Sequence, residues 1–258
     1  MVRRLFYLFN IFAVIALLIQ GSSLQNGQAA SPVILGGTFL IVWGDAAQGS
    51  NATRISYYLT KEKSDPIQLV ISDDLLTQVG GPVGLNRKSV TILGVWQVPE
   101  HSLLVQTIAL SDGEQAGPEG VFGSQPWVSI LCKFKDDTDE PNDVNFFKKM
   151  YSSDYPGLDH FWRQNSYDLA NLKGSNAFGW YVLPQNRDYY NNNGHLDFEK
   201  AAVDCTGVAD ADVYYPDYVG INLMFNNELD GYAWGGAWNL CLDGYCQVWR
   251  MTWEPPWG

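Results

Sequence analysis

The stretch Tyr155–Pro184, YPGLDHFWRQNSYDLANLKGSNAFGWYVLP, decides how the chain is read. Leu158–Tyr167 is expected to be a helix with Phe161 and Trp162 as its apolar anchors. It runs into Asn165-Ser166-Tyr167 and then into short strands that close on Gly179-Trp180-Tyr181-Val182-Leu183-Pro184. Phe161, Trp162, Tyr167 and Trp180 read as core packing, and Gly179 as a turn or close-approach glycine.

Upstream of this block, Trp127–Phe134 (WVSILCKF) is a mostly apolar run bounded by turn signals, so a buried central strand is expected. An acidic loop, Asp136–Asp143, leads to a helix start at Pro141-Asn142-Asp143 and a helix over Val144–Tyr151. Downstream, Asp188–Glu199 reads as an Asn-rich turn capping the next helix, Leu196–Val208. Val219–Phe225 is a further strand, and Asn239–Trp253 closes as a hairpin around Asp243-Gly244. Helices alternate with apolar strands, which points to an α/β or α+β domain over 126–258.

Residues 31–112 have a different texture. Thr38–Trp43, Arg54–Leu59, Pro66–Ser72, Ser89–Val98 and Ser102–Leu110 are short strand candidates, punctuated by Gly80-Gly81-Pro82 and Gly84. They suit a small β-barrel or sandwich. The order of a strand, a Gly-rich loop and Lys88–Val95 resembles an oligonucleotide/oligosaccharide-binding-type barrel. Residues 113–125 are Gly-, Pro- and acid-rich and read as a linker. The expected fold is therefore α+β, a small barrel or sandwich followed by an incomplete α/β domain.

Residues 1–30 read as a signal peptide. Arg3 and Arg4 precede the apolar run Leu5–Ile19, and Gly27-Gln28-Ala29 supplies small residues for cleavage. No second stretch of spanning length follows, so no membrane association is expected beyond that segment. A net charge of −12 and the lack of a basic stripe exclude nucleic acid as a partner. Export makes the four cysteines disulfide candidates, with three possible connectivities. The Asp-Gly turn between Cys241 and Cys246 would bring that pair to bridging distance, which leaves Cys132 with Cys205.

For chemistry, Asp136, Asp137, Asp139 and Asp143 are hard oxygen ligands within one loop and are the calcium candidates. A solvated acidic loop is the simpler reading. His101, His160 and His195 are the only histidines, and no Gly-x-Ser-x-Gly elbow is present, so no catalytic residue is assigned. Asp159, Asp168, Asp210 and Asp212 form no recognisable glycosidase pair. Trp234, Trp238, Trp249, Trp253 and Trp257 are either buried packing or a stacking platform for sugars.

The region Trp127–Leu240 resembles the start of the catalytic domain of immune inhibitor A-type secreted metallopeptidases. The matching residues are Phe161, Trp162, Ser166 and Tyr167, then Gly174, Gly179, Trp180, Tyr181, Leu183 and Pro184. The family usually has Gly after Ser-Tyr, where this chain has Asp168. Four residues rather than three separate Gly174 from Gly179. The resemblance implies a zinc metalloendopeptidase acting on protein or peptide substrates. Its zinc would sit on an H-E-x-x-H helix, two His one turn apart with a water-activating Glu between them. No such motif is present, so the domain over 126–258 is expected to stop before the zinc helix and to be inactive as it stands, binding no zinc of its own. The alternative expectation is a non-catalytic secreted module that binds glycan or peptide.

Overall fold

Val33–Ala46 (β1) is the strand around which the chain is organised. The computed structural model describes residues 31–61, 64–98, 101–111 and 120–258. The signal segment and most of the expected linker lie outside them. From Val33 to Thr38, β1 pairs with Ser89–Gln97 (β4), and from Thr38 to Asp45 with Thr53–Thr60 (β2). Ile67–Val70 (β3) lies antiparallel to β2 and parallel to Ser102–Leu110 (β5), which returns antiparallel to β4. The order β1-β2-β3-β5-β4-β1 closes a five-stranded barrel. Closure leaves these strands no free edge between them. Its interior holds Phe39, Ile41, Leu59, Ile92 and Leu103, with Leu76 and Leu85 from two short helices, Asp73–Gln78 (α1) and Pro82–Leu85 (α2), as plugs. Ser72 caps α1 by accepting from the Leu75 N–H.

The same β1 also pairs, over Val42–Ala46, with Tyr232–Leu242 (β13). Through it the barrel continues into a ten-stranded sheet. Gly123–Ser124 (β6) makes a small pairing with Ala170–Asn171 (β8). Trp127–Lys133 (β7) runs parallel to both Asn176–Val182 (β9) and Gly220–Phe225 (β12). Tyr245–Glu254 (β14) lies parallel to β12 and antiparallel to β13. Asn191–Asn192 (β10) and His195–Leu196 (β11) form the expected Asn-rich turn, and Asp197 caps the helix after it. Three helices flank the sheet: Val144–Met150 (α3), Leu158–Asn165 (α4) and Phe198–Ala209 (α5). The fold is mostly β, a closed barrel with extra strands, and residues Pro32–Gly258 form one unit.

Alternation along the strands makes two faces. Val128, Ile130 and Cys132 of β7, Ile221, Leu223 and Phe225 of β12, and Trp249, Met251 and Trp253 of β14 pack in one core with Ala201, Ala202 and Cys205 of α5. The Cys132–Cys205 disulfide crosslinks β7 to α5 inside that core. Cys241–Cys246 bridges the β13–β14 hairpin, whose Asp243 and Gly244 both have positive φ, 52° and 81°. Both pairings are those expected from the sequence. On the opposite face Leu131, Phe147, Ala177 and Met224 form a smaller core under α3.

One aromatic assignment needs correction. Of the expected anchors, Phe161 and Trp162 are half exposed and Tyr167 is 90% exposed. Only Trp180 packs, partly buried against Phe147, with its indole N–H donating to the Asn142 carbonyl at 2.8 Å. The buried residue of α4 is instead Asp159. For the C-terminal tryptophans, where both readings are open in the sequence, the structure decides for packing in four of the five. Trp234, Trp238, Trp249 and Trp253 are buried, so they form core and not a stacking platform.

Candidate binding site

The second face of the sheet carries an open, mostly apolar cavity of about 540 Å³. Its floor is set by register. Gly220 lies opposite Trp127 on one side and Arg250 on the other. Asn222 lies opposite Ser129 and Thr252, and Met224 opposite Leu131 and Glu254. The floor is thus three rows across β7, β12 and β14. The Trp127 indole lies flat over Gly220, where any Cβ would collide with the ring.

The middle row is polar. The Tyr151 and Ser129 hydroxyls bond at 2.7 Å, Asn222 Nδ2 donates to Ser129 Oγ at 3.1 Å, and Thr252 Oγ1 donates to Asn222 Oδ1 at 2.5 Å. Buried polar groups must be paired, and these satisfy one another in a chain. Burial pushes the Tyr151 phenol up to about 12, so it stays neutral. At one end of the floor Arg250 Nη1 donates to Gln125 Oε1 at 3.0 Å. At the other end sits the Glu254 carboxyl. Burial pushes it up to about 7; the neighbouring Thr252 hydroxyl opposes that shift, and the charge of Asp45 adds a smaller push in the same direction as burial. None of the ion pairs between described residues involves Glu254.

The wall comes from the block quoted first. Leu158 and Trp162 of α4 face the cavity. Asp159 fixes the helix: Oδ2 accepts from Arg163 Nε at 2.8 Å, and Oδ1 from the Leu172 N–H at 2.5 Å. Ser166 Oγ closes the following turn by bonding both the N–H and the carbonyl of Ala170. Within the turn Tyr167 and Asp168 have φ of 54° and 60°. Farther on, Gly174 and Gly179 have φ of 94° and 121°. Gly179 also lies so close to the Leu131 backbone on β7 that a side chain has no room there, as expected of a close-approach glycine.

The calcium candidates lie elsewhere, at the carboxyl ends of the parallel strands. Asp136 accepts from the Arg187 N–H, and Asp143 caps α3 by accepting from the Phe146 N–H. Asp137 accepts from the Asp139 N–H and from Asn227, and these bonds hold its carboxyl below the ordinary range. Asn226 ties the loop down, donating to the Asp137 and Asp139 carbonyls while accepting from the Phe134 N–H. Among the described residues no three His, Cys, Asp or Glu converge to hold a metal ion. The residues present do not by themselves fit a zinc. Of the glycosidase candidates, Asp159 serves α4 and Asp212 accepts from the Tyr181 hydroxyl.

Sequence reading missed the cavity. Ser129, Asn222 and Thr252 are separated by 93 and 30 positions along the chain, and only strand register unites them. Among the described residues no helix is long and apolar enough to cross a membrane. In comparisons with known proteins the chain matches no family model and no curated protein.

Proposed function

We propose that residues 127–240 are the scaffold of a zinc metalloendopeptidase-like catalytic domain in a secreted protein. The zinc-binding helix would lie outside these 258 residues, and the chain as it stands would be inactive. One observation carries this reading. The resemblance places glycine at positions 168, 174 and 179, and in this backbone all three have positive φ, 60°, 94° and 121°. Left-handed backbone is what a glycine pattern encodes, and Asp is among the few other residues that tolerate it. The Asp168 departure therefore keeps the conformation that the family's glycine would supply. Two disulfides fit an oxidising, extracytoplasmic setting.

This chain's own part would be to hold the sheet and the α4 wall that such a site is built against. The test is the metal content of the protein purified from the medium of its source. One tightly held zinc per chain supports the proposal, and zinc-free protein counts against it.

A second reading, a non-catalytic secreted module for glycan or peptide, is favoured by the exposed rings of Phe161, Trp162 and Tyr167 beside the cavity. Exposed aromatic clusters of this kind are uncommon on surfaces without a partner. Silence on glycan and peptide arrays would remove it.

A further inference from the structure

Two charged side chains line the cavity, Arg250 and Glu254, and they differ in company. Arg250 is already engaged, with Gln125 Oε1 and beyond it, so it asks nothing of a ligand. Glu254 enters none of the ion pairs between described residues. The Thr252 hydroxyl and the like charge of Asp45 are its electrostatic neighbours. Met224 is its register partner on β12, and Met150, Leu158 and Trp162 line the same cavity. A carboxylate in an apolar setting is costly until a cation joins it. The polar row of Ser129, Asn222 and Thr252 is bonded within itself and makes no such demand.

We infer that the cavity binds an organic amine, its ammonium group on the Glu254 carboxylate and its apolar body along the floor against Met224, Leu158 and Trp162. From the row of Met224 and Glu254 to the row of Gly220 the floor runs about 13 Å, at about 3.3 Å per residue. The cavity volume of about 540 Å³ lies within the range of small-ligand sites. An alkyl or arylalkyl amine suits both dimensions. Other ligand classes fit less well. A metal ion would find Glu254 as the single carboxylate of the lining. A fatty acid would set like charge against Glu254. A neutral glycan would bring hydroxyls to apolar walls and leave the carboxylate without a cation.

The inference stands apart from the peptidase proposal, since binding requires neither zinc nor hydrolysis. The probes are phenylbutylamine and its neutral counterpart, phenylbutanol. A net charge of −12 draws cations to the whole surface, so the readout must be local. The methyl signals of isotope-labelled methionine supply it. Met150 and Met224 line the cavity, whereas Met251 lies in the core on the other face of the sheet. The amine is expected to shift Met150 and Met224, to leave Met251 in place, and to bind about tenfold or more tightly than the alcohol. Glu254→Gln is expected to bind both probes as the unaltered protein binds the alcohol, with an unmoved Met251 signal reporting an intact core. Equal affinity for amine and alcohol in the unaltered protein overturns the inference, whether or not the variant folds. So does a preference for the amine that survives in Glu254→Gln, or amine at millimolar concentration that leaves Met150 and Met224 unshifted.

Discussion

Asp159 accepts a 2.5 Å hydrogen bond from the backbone N–H of Leu172, thirteen positions away, and so ties α4 to the segment entering β9. Asp159 is 4% exposed, and its other oxygen holds Arg163. Removing the carboxylate leaves a buried N–H without an acceptor and Arg163 without its partner. Asp159→Ala is expected to cost about 2 kcal/mol, read from urea denaturation. Asp159→Asn keeps one acceptor and should cost less. Faster amide exchange at Leu172 in the Ala variant is the local signature.

The two disulfides should differ in worth. Cys132–Cys205 closes a loop of 73 positions and Cys241–Cys246 one of 5. On chain-entropy grounds the first contributes about 4 kcal/mol and the second about 2 kcal/mol. Paired Cys→Ala variants, compared by denaturant midpoint, should show the larger loss for Cys132 and Cys205. Loss of core packing at Cys132 adds to that difference.

Stability should fall as pH rises across the neutral range. Burial pushes the Glu254 carboxyl from 4.5 up to about 7, so the folded state holds that proton more tightly than the unfolded chain. Its contribution is fully present below the unfolded value and is lost as pH rises through about 7. Glu199, raised by burial and by Asp65, acts in the same direction. Asp137, held below its ordinary range, contributes stability that is lost as pH falls through its folded value. Thermal midpoints measured from about pH 5 to 8 should decline, and Glu254→Gln should flatten the decline.

The aromatics should sort by burial. Trp253, fully buried with its indole N–H on the Phe198 carbonyl, should cost about 3–5 kcal/mol as Trp253→Ala. Phe161→Ser and Tyr167→Ser should shift stability by less than about 1 kcal/mol, because those rings stand in solvent. Equal losses would contradict the exposed placement of the α4 side chains.

That exposure shows where sequence reading stops. Phe161 and Trp162 are adjacent, so a helix turns them about 100° apart, and here Trp162 lines the cavity while Phe161 does not. Asp159 is buried because its carboxylate is fully bonded, which no apolar pattern signals. The barrel strands were legible from their β-branched and apolar runs. Those runs suit a barrel or a sandwich, and the pairing of β1 with both β2 and the more distant β4 decides for the barrel. The helices α1 and α2 span too few residues to display a period. The hairpin disulfide was legible because Asp243-Gly244 fixes the turn locally, and the second disulfide followed from it. The polar row of Ser129, Asn222 and Thr252 has no local signature at all.

The measurement that bears most directly on the lineage is hydrolysis of an unfolded protein substrate, with and without a zinc chelator. It is made on the protein purified from its source and on the 258-residue chain alone. The account predicts chelator-sensitive cleavage by the former and none by the latter. Chelator-sensitive cleavage by the 258-residue chain, or none by the protein from its source, would contradict it.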